Sequence, residues 1–446
     1  MTKRRKEDIK VQNDMQTTRL EIGDGINLCH IRTGKFKHAS LAISYATKLT
    51  TENAVMNSLL TSVLTKSCAK FPKMEDFNRE LDRLYAASIN GSVRKYGEAH
   101  TAIIKADTLQ NKFVPDGEDV IKELAELLLD VLLSPSLPGG VFDKEILESE
   151  KTNLIDLIRA SQNDKDGYAV RRCAEIMCEN EKFSTYVHGD EETVAEVTAE
   201  ALTEKYHEIV SGAKFEIYFV GDYDCEALAD ILRERFQDIR RNVSLEFPAT
   251  KVRRKTSGEV KRVNETAPIS QAKLCIGFRL GRSLADRNFA AVTLLKEIYG
   301  GSPTSKLFVN VREKLSLCYY CSPALEQIKG IMIVASAIEE QNKEKAEEEI
   351  LLQLDKIRAG QISDEEFKNA KDSLTNRYNE ISDSSDAMIA WYMQRSVLGF
   401  VDSPDIASLA VSFLTKEHVI EAAKEISLDT VYLLSGKTDG KEESNG

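Results

Sequence analysis

The amino-acid sequence predicts an α+β protein built from two similar halves. Each half contains strands that follow one another closely, as in hairpins, and helices collected in runs, which is typical of an α+β fold. Each half also ends in an apolar strand followed by glycine, KFEIYFVG at 214–221 and DTVYLLSG at 429–436. This similarity indicates a duplication rather than a short solenoid repeat. We therefore expect one mostly antiparallel sheet in each half, with helices packed on one face.

The elements of the first half follow from the period of their apolar residues. A period of two over short segments rich in β-branched and aromatic residues predicts strands, and a period near 3.6 over longer segments predicts helices. The predicted strands are Ile26–Arg32, Ala39–Ala46, Ser88–Lys95, His100–Ala106 and Lys214–Val220. The predicted helices are Glu52–Lys66, Met74–Tyr85, Asp119–Leu133, Phe142–Ala160, Tyr168–Cys178 and Glu192–Val210.

The second half repeats this pattern. Its predicted strands are Ala272–Phe278, Leu317–Pro323, Gly330–Ala335 and Thr430–Leu434. Its predicted helices are Ala285–Tyr299, Pro303–Lys314, Glu344–Arg358, Asp364–Ile381, Ser385–Gly399 and Glu417–Ile426. Ser302 is a favourable N-cap with Pro303 at the first helical position, which is the reason for starting the second of these helices there.

A polar segment at 237–270 lies between the halves. It carries Pro248 and the basic run KVRRK at 251–255, and it has no sustained apolar period. These are features of a boundary between domains. We expect a first domain at 1–236, a linker at 237–270 and a second domain at 271–437. Residues 438–446, TDGKEESNG, are expected to form a disordered tail.

Composition excludes several classes of protein. The net charge of −12 argues against a nucleic acid as the main partner, because phosphate binding needs clustered positive charge. No apolar run has the length of a membrane-spanning helix, so no membrane partner is expected. The charged N-terminus, MTKRRKEDIK, lacks the apolar core of a secretory signal. With eight scattered cysteines, these features predict a cytoplasmic protein with reduced thiols.

One segment, GGSPTSKLFVNVREKLSLCYYCS at 300–322, is specific enough to suggest a family. It resembles the insulinase/pitrilysin family of zinc peptidases, in particular the branch that is similar to mitochondrial processing peptidase. The resemblance covers roughly residues 20 to 436 and implies two homologous halves that enclose a chamber. It also implies that Arg312, and Tyr319 seven residues later, bind substrate. Without the resemblance, the same residues would be read as a solvated arginine and a packed strand tyrosine.

The zinc motif of that family is absent from this chain. Family enzymes carry H-x-x-E-H on an early helix, where two histidines bind Zn²⁺ and the glutamate activates water. Counting back from Pro72 and the LDRLYA segment at 81–86 places the motif on Ser58, Thr61 and Ser62. Neutral hydroxyls do not hold Zn²⁺ against water. The six histidines are not clustered in the sequence. The family's third ligand, a glutamate, would fall near Glu148 or Glu150, but these glutamates have no histidine partners in the motif. We therefore expect no metal in this chain.

The pair Cys318 and Cys321 has the spacing of a redox or half-zinc motif. Residues three apart in a regular strand point to opposite faces. The sequence also has no second C-x-x-C, so these cysteines are interpreted as packing thiols.

These observations predict a non-catalytic subunit of a two-chain zinc peptidase. It would have no activity alone, and it would supply Arg312 and Tyr319 to a zinc-bearing paralogous subunit that processes peptides. Zinc is expected only in that partner. The chain also resembles zinc-less Firmicutes members of the family that are associated with elongation factor P modification. The alternative is a purely structural or peptide-binding family member, self-paired as a homodimer or without a protease partner, that has no protease role.

Overall fold

The computed structural model describes residues 15–256, 258–400 and 402–436. Within the described residues, the first half contains six strands, which are β1 (Gln16–Gly23), β2 (Ile26–Arg32), β3 (His38–Lys48), β4 (Ser88–Tyr96), β5 (Ala99–Leu109) and β6 (Phe215–Gly221). Its helices are α1 (Thr51–Leu64), α2 (Met74–Arg83), α3 (Val120–Leu133), α4 (Lys144–Ala160), α5 (Lys165–Met177), α6 (Glu191–Glu196), α7 (Ala199–Gly212) and α8 (Cys225–Gln237).

The second half contains five strands, which are β7 (Lys261–Ala267), β8 (Ala272–Arg279), β9 (Cys318–Glu326), β10 (Ile331–Ile338) and β11 (Ser427–Gly436). Its helices are α9 (Phe289–Lys296), α10 (Lys343–Arg358), α11 (Asp364–Ile381), α12 (Ser385–Ser396), α13 (Pro404–Ser412) and α14 (Lys416–Glu425). Two segments, Glu297–Gly301 and Phe308–Lys314, have π-helical hydrogen bonding.

The two sheets have the same topology. The first has the order β1-β2-β6-β3-β5-β4 and the second has the order β7-β11-β8-β10-β9. In each sheet one strand pairs in parallel with the last strand of its half, β2 with β6 and β7 with β11, and the remaining pairs are antiparallel. The predicted α+β fold with two similar halves is therefore confirmed, and β1 is an addition to the first sheet.

The halves exchange a helix across their sheets. One face of each sheet packs on the helices of its own half, which form the two large apolar cores. On the other face of the second sheet, α5 packs its residues Ala169, Cys173 and Ile176 against Tyr432 and Leu434. On the other face of the first sheet, α12 packs its residues Met388, Ile389, Tyr392 and Met393. Each sheet is therefore covered on both faces, and the two halves share cores.

A buried network of ion pairs also joins the halves. Glu98, in the turn between β4 and β5, and Glu181, after α5, both belong to the first half. Lys329 Nζ lies 2.6 Å from Glu98 Oε1 and 2.7 Å from Glu181 Oε2. Arg279 on β8 donates to Glu181 Oε1 at 2.8 Å and to Asp429 Oδ2 at 3.0 Å. Burial alone would raise the pKa of Glu181, but Lys329 and Arg279 hold it below its usual value.

Four elements were not predicted. They are β1, β7, α8 and α13, and β7 occupies residues 261–267 of the segment expected to be a linker. The strand β7, for example, alternates exposed and half-buried residues along KRVNETA. A strand of this kind forms because a neighbouring strand offers backbone hydrogen bonds, and its own residue pattern does not reveal that pairing. The predicted tail, residues 438–446, lies outside the described residues.

Two helix starts in the second half differ from the prediction. The helix expected from Ala285 begins at Phe289, because Asn288 adopts the left-handed conformation with φ 62°. The helix expected from Pro303 begins three residues later, at Lys306, after a turn closed by the hydrogen bond from Ser305 N to Ser302 O. Among the described residues, none of the helices is long and apolar enough to cross a bilayer.

Candidate functional site

The helix α1 carries the three positions predicted for the lost zinc motif. Its N-terminus is capped by Thr50, whose hydroxyl accepts from Asn53 N at 3.2 Å. Ser58 and Thr61 are buried, whereas Ser62 is half-buried. The Thr61 hydroxyl donates back to the carbonyls of Asn57 and Ser58, at 2.9 and 3.0 Å. It is therefore occupied within its own helix rather than presented to a ligand.

A buried hydrogen-bond network centred on Asn57 lies on the same helix. Asn57 Nδ2 donates to Thr47 Oγ1 and to His100 Nδ1, both at 2.9 Å. His100 Nε2 then donates to the carbonyl of Val187 at 2.8 Å, which fixes the tautomer with its hydrogen on Nε2. Burial lowers the pKa of His100 to about 4, so this imidazole is neutral at physiological pH. The helix thus retains a polar network made only of neutral groups.

A second histidine approaches the predicted motif position. His188 Nδ1 lies 3.3 Å from Ser58 Oγ, and its ring packs edge-on against Tyr186 at 5.5 Å. Burial, and then Arg171, lower the pKa of His188. Two of the six histidines, far apart in the sequence, are therefore brought to α1, which sequence spacing did not reveal. Only the fold, through β5 and the loop after α5, places them there.

These residues do not fit a zinc ion of the family type. The motif positions supply hydroxyls, and zinc prefers imidazole, thiolate or carboxylate. Within residues 15–256, 258–400 and 402–436, no group of three His, Cys, Asp or Glu side chains is arranged to hold a metal ion.

The two predicted third-ligand positions have different surroundings. Glu150 on α4 is buried and forms an ion pair with Lys66 at 3.0 Å, one turn beyond Ser62. Glu148 is exposed and pairs with Lys151 at 2.9 Å. The helix α4 thus packs next to α1, but the buried carboxylate faces a lysine rather than a set of ligands.

Arg312 and Tyr319 lie next to each other in the second half. The guanidinium carbon of Arg312 lies 4.6 Å from the centre of the Phe308 ring and 5.9 Å from the centre of the Tyr319 ring. Both residues are exposed, and Tyr319 is 74% exposed, which is unusual for a tyrosine on a strand. The alternative of a packed strand tyrosine is therefore wrong for Tyr319.

Three backbone irregularities hold this pair. Arg312 lies in the π-helical segment Phe308–Lys314, where Leu315 N donates to Asn310 O at 3.3 Å. Ser316, between this segment and β9, has a positive φ of 50°. Tyr319 is an extra residue on β9, since Cys318 lies opposite Ile338 and Tyr320 lies opposite Ala337. Such irregularities are concentrated at functional sites because they redirect side chains.

A cavity of about 680 Å³ lies between the halves beside β9. The residues that alternate along β9, Tyr320, Ser322, Ala324 and Glu326, line one wall. The opposite wall comes from the first half, and most of the remaining lining is apolar: Val170, Ala174, Phe183, Ile331 and Ile333. Tyr320 OH donates to Asp166 Oδ1 at 2.5 Å across the cavity. This volume and mainly apolar lining are typical of ligand pockets.

Two ionisable groups at one end of this cavity are strongly perturbed. Burial raises the pKa of Glu326 to about 7, against the opposing effects of the Gly97 N–H and Lys95. Burial also lowers the pKa of Lys95 to about 8. Lys95 Nζ donates to the carbonyls of Phe183 and Thr185, at 2.8 and 3.1 Å. The sequence pattern did not indicate either residue as part of a site. Lys95 and Glu326 belong to edge strands of different sheets, so only the tertiary fold brings them to one cavity.

Comparison with known proteins agrees with this geometry. A family model described as "Peptidase M16 inactive domain" matches residues 196–374. The chain is 30% identical over 420 residues to a Bacillus subtilis (strain 168) protein named "Probable inactive metalloprotease YmfF", covering 93% of this chain and 97% of that protein. It is also 23% identical over 259 residues to a protein of the same organism named "Uncharacterized zinc protease YmxG", covering 57% and 61% of the two chains.

Solved structures show the same architecture. A conserved protein from Enterococcus faecalis V583 superimposes with a TM-score of 0.85 and 25% identity, over 95% of this chain and 99% of that one. The match extends over both halves, as does the match to the inactive metalloprotease homologue. These matches account both for the two-half fold and for the lack of zinc ligands at the motif positions on α1. This chain belongs to the M16, or insulinase/pitrilysin, family of peptidases and is an inactive homologue within it.

Proposed function

We propose that this chain is the non-catalytic, substrate-binding subunit of a two-chain M16 zinc peptidase. In this proposal it lends Arg312 and Tyr319 to a zinc-bearing paralogous partner in the cytoplasm. The observation that carries the proposal is the Arg312–Tyr319 pair itself. Both side chains are exposed and adjacent, and each is held by an irregular piece of backbone. A purely structural role gives no reason to maintain such a pair at the surface.

The chemistry of the pair suits substrate binding rather than cleavage. A phenol and a guanidinium donate hydrogen bonds to a peptide carbonyl, and these bonds strengthen when the carbonyl becomes an oxyanion. Neither group activates water at neutral pH. Since α1 supplies no metal ligands, the zinc and the general base would come from the partner, and this chain would position and polarise the peptide.

The cavity beside β9 supports a peptide as the substrate. Tyr319 immediately precedes Tyr320, which lines the cavity and donates to Asp166. Apolar walls with a few fixed polar groups suit an extended peptide with hydrophobic side chains. The matches to one inactive and one zinc-named protein of the same organism support a pairing between paralogues.

The proposal is tested by co-purification from the native cell. The full-length chain carrying an affinity tag is purified, and the bound proteins and zinc are measured. We expect an M16 paralogue with H-x-x-E-H in equal amount, one zinc per pair, and peptide cleavage that neither chain shows alone. Recovery of this chain only as a metal-free homodimer would overturn the proposal.

A second function, peptide binding without any protease role, is favoured by the cavity. The cavity is formed by the two halves of a single chain and requires no metal. Under this alternative, the isolated chain would bind apolar peptides as tightly as any complex, and Arg312→Ala would leave that affinity unchanged. Binding that appears only with the zinc-bearing partner would exclude it.

A further inference from the structure

Cys318 and Cys321 lie on the same face of β9, which contradicts their interpretation from spacing alone. Cys318 lies opposite Ile338 on β10, whereas Cys321 lies opposite Ser336. The step from Cys318 to Cys321 is three residues on β9, whereas the step between their partners on β10 is two residues. The extra residue on β9 is Tyr319. Since Ile338 and Ser336 are two apart, they share one face of β10. Because of the bulge at Tyr319, the side chains of the two cysteines point to the same face of the sheet.

This face points to the second apolar core. Cys321 is 6% exposed and belongs to that core together with Ile338, whereas Cys318 is half-buried and packs at its margin. The two side chains therefore lie on the same face of the same strand. Cys318 is more accessible to solvent than Cys321.

The surroundings favour a thiolate at Cys318. The neighbouring Cys321 thiol is the main cause that lowers the pKa of Cys318, and Arg312 acts in the same direction. The interaction with Cys318 and burial raise the pKa of Cys321. Burial raises the pKa of the other six cysteines. All eight lie in the described part of the chain, so Cys318 differs from every other thiol of this protein.

We propose that Cys318 and Cys321 form a reactive dithiol, in which Cys318 attacks a peroxide or a small disulfide and Cys321 resolves the product to an intrachain disulfide. With hydrogen peroxide, the Cys318 thiolate attacks one oxygen and the O–O bond breaks, which gives a sulfenic acid and, after protonation, water. The Cys321 sulfur then attacks the sulfenic sulfur, the S–O bond breaks, and a second water leaves with the Cys321 proton. Two thiols and one peroxide give one disulfide and two waters.

The backbone geometry permits this bond. The residues opposite the two cysteines are two apart on β10, which corresponds to about 6.6 Å along a strand. Disulfides usually join Cα atoms separated by about 4.4–6.8 Å, so the bond forms near the upper limit. A dithiol reductant restores both thiols by thiol–disulfide exchange. This proposal is independent of the proposed function, because it concerns the thiol chemistry of the isolated chain.

The experiment treats the reduced full-length chain with hydrogen peroxide, blocks remaining thiols with N-ethylmaleimide and analyses the peptides by mass spectrometry. We expect the loss of two of the eight thiols and a peptide spanning 318–321 that is lighter by two hydrogens. Cys318→Ser should slow thiol loss by about tenfold or more, since thiolate reactivity is removed. In Cys321→Ser, a 1,3-diketone should trap the sulfenic acid on Cys318.

Cys225→Ser is the matched control. Cys225 is also half-buried, but burial raises its pKa, so its replacement should leave the oxidation rate unchanged. Unchanged circular dichroism of the serine variants verifies folding. Oxidation of Cys318→Ser at the wild-type rate, or a first oxidation product at another cysteine, would overturn the proposal. So would a sulfenic acid on Cys318 of the wild type that never proceeds to a disulfide.

Discussion

Lys329 Nζ lies 2.6 Å from Glu98 Oε1, and this buried pair joins the turn between β9 and β10 to the turn between β4 and β5. The same ammonium donates to the carbonyl of Lys251, at 2.7 Å. One side chain therefore ties together both sheets and the segment between the halves. With the exchanged helices α5 and α12, it fixes the edge strands β4 and β9 on either side of the cavity.

Lys329→Met should strongly destabilise the protein. The substitution leaves the Glu98 carboxylate buried without its cation, and Glu181 loses one of the three cations that pair with it. Removing one partner of a buried ion pair typically costs about 3–5 kcal/mol. The measurement is urea unfolding followed by circular dichroism.

Lys144→Met is the control for this experiment. Lys144 pairs with Glu200 at 3.0 Å, but both side chains are exposed, so its loss should leave the free energy of unfolding nearly unchanged. Equal effects of the two substitutions would show that the buried network does not hold the halves together.

Glu326 should make the stability fall as the pH rises from about 4.5 to about 7. Its pKa is 4.5 in an unfolded chain and about 7 in the folded protein, because burial disfavours the carboxylate. Between these values the folded state binds more protons than the unfolded state, so raising the pH favours unfolding. Glu326→Gln, which keeps a group able to accept from the Gly97 N–H, should remove this dependence.

The test compares urea midpoints of wild type and Glu326→Gln at several pH values between 4.5 and 8. The difference between the two proteins should grow with pH in favour of the variant and level off above pH 7. Glu340→Gln, at an exposed glutamate, should follow the wild type. A constant difference between wild type and Glu326→Gln would contradict a buried proton on Glu326.

The sequence predicted the repeating order of elements well, because apolar periodicity is strong where a helix or strand borders a core. It failed at β7, whose polar sequence is a strand only because β11 pairs with it. It also failed for Cys318 and Cys321, because a single inserted residue reverses strand parity and has no signature in composition.

The candidate site shows the same division. Arg312 and Tyr319 are seven residues apart in the sequence, and in the structure the guanidinium carbon of Arg312 lies 5.9 Å from the centre of the Tyr319 ring. His100 bonds to Asn57 and His188 lies beside Ser58, so these contacts bring two distant segments to α1, and periodicity and spacing do not report them. Lys95 and Glu326 line one cavity for the same reason, since the approach of the two halves depends on tertiary packing alone.

The purified chain should contain no stoichiometric zinc. Ser58, Thr61 and Ser62 offer hydroxyls, and Glu150 is already paired with Lys66. Elemental analysis after dialysis against a zinc-containing buffer, followed by zinc-free buffer, measures the metal retained. Glu150→Gln should behave like the wild type. One zinc retained per chain in the wild type and lost in Glu150→Gln would contradict the replacement of the metal site.

Tyr319→Phe should impair peptide cleavage by the reconstituted two-chain complex without affecting folding. The substitution removes only a hydroxyl that is exposed to solvent. Loss of one oxyanion donor typically lowers turnover by about 100-fold or more. Arg312→Ala should also weaken substrate binding, because it removes a positive charge beside the same carbonyl. Tyr320→Phe is an informative comparison, since this hydroxyl is engaged with Asp166.

The measurement combines initial cleavage rates with sedimentation of the mixed subunits, with wild type alongside. We expect a lower kcat for Tyr319→Phe at unchanged KM and unchanged assembly, whereas Arg312→Ala should change both kcat and KM. Normal cleavage by both variants would favour the structural alternative. Weaker assembly with unchanged turnover per assembled complex would do the same, because Arg312 and Tyr319 would then contact the partner subunit rather than the peptide.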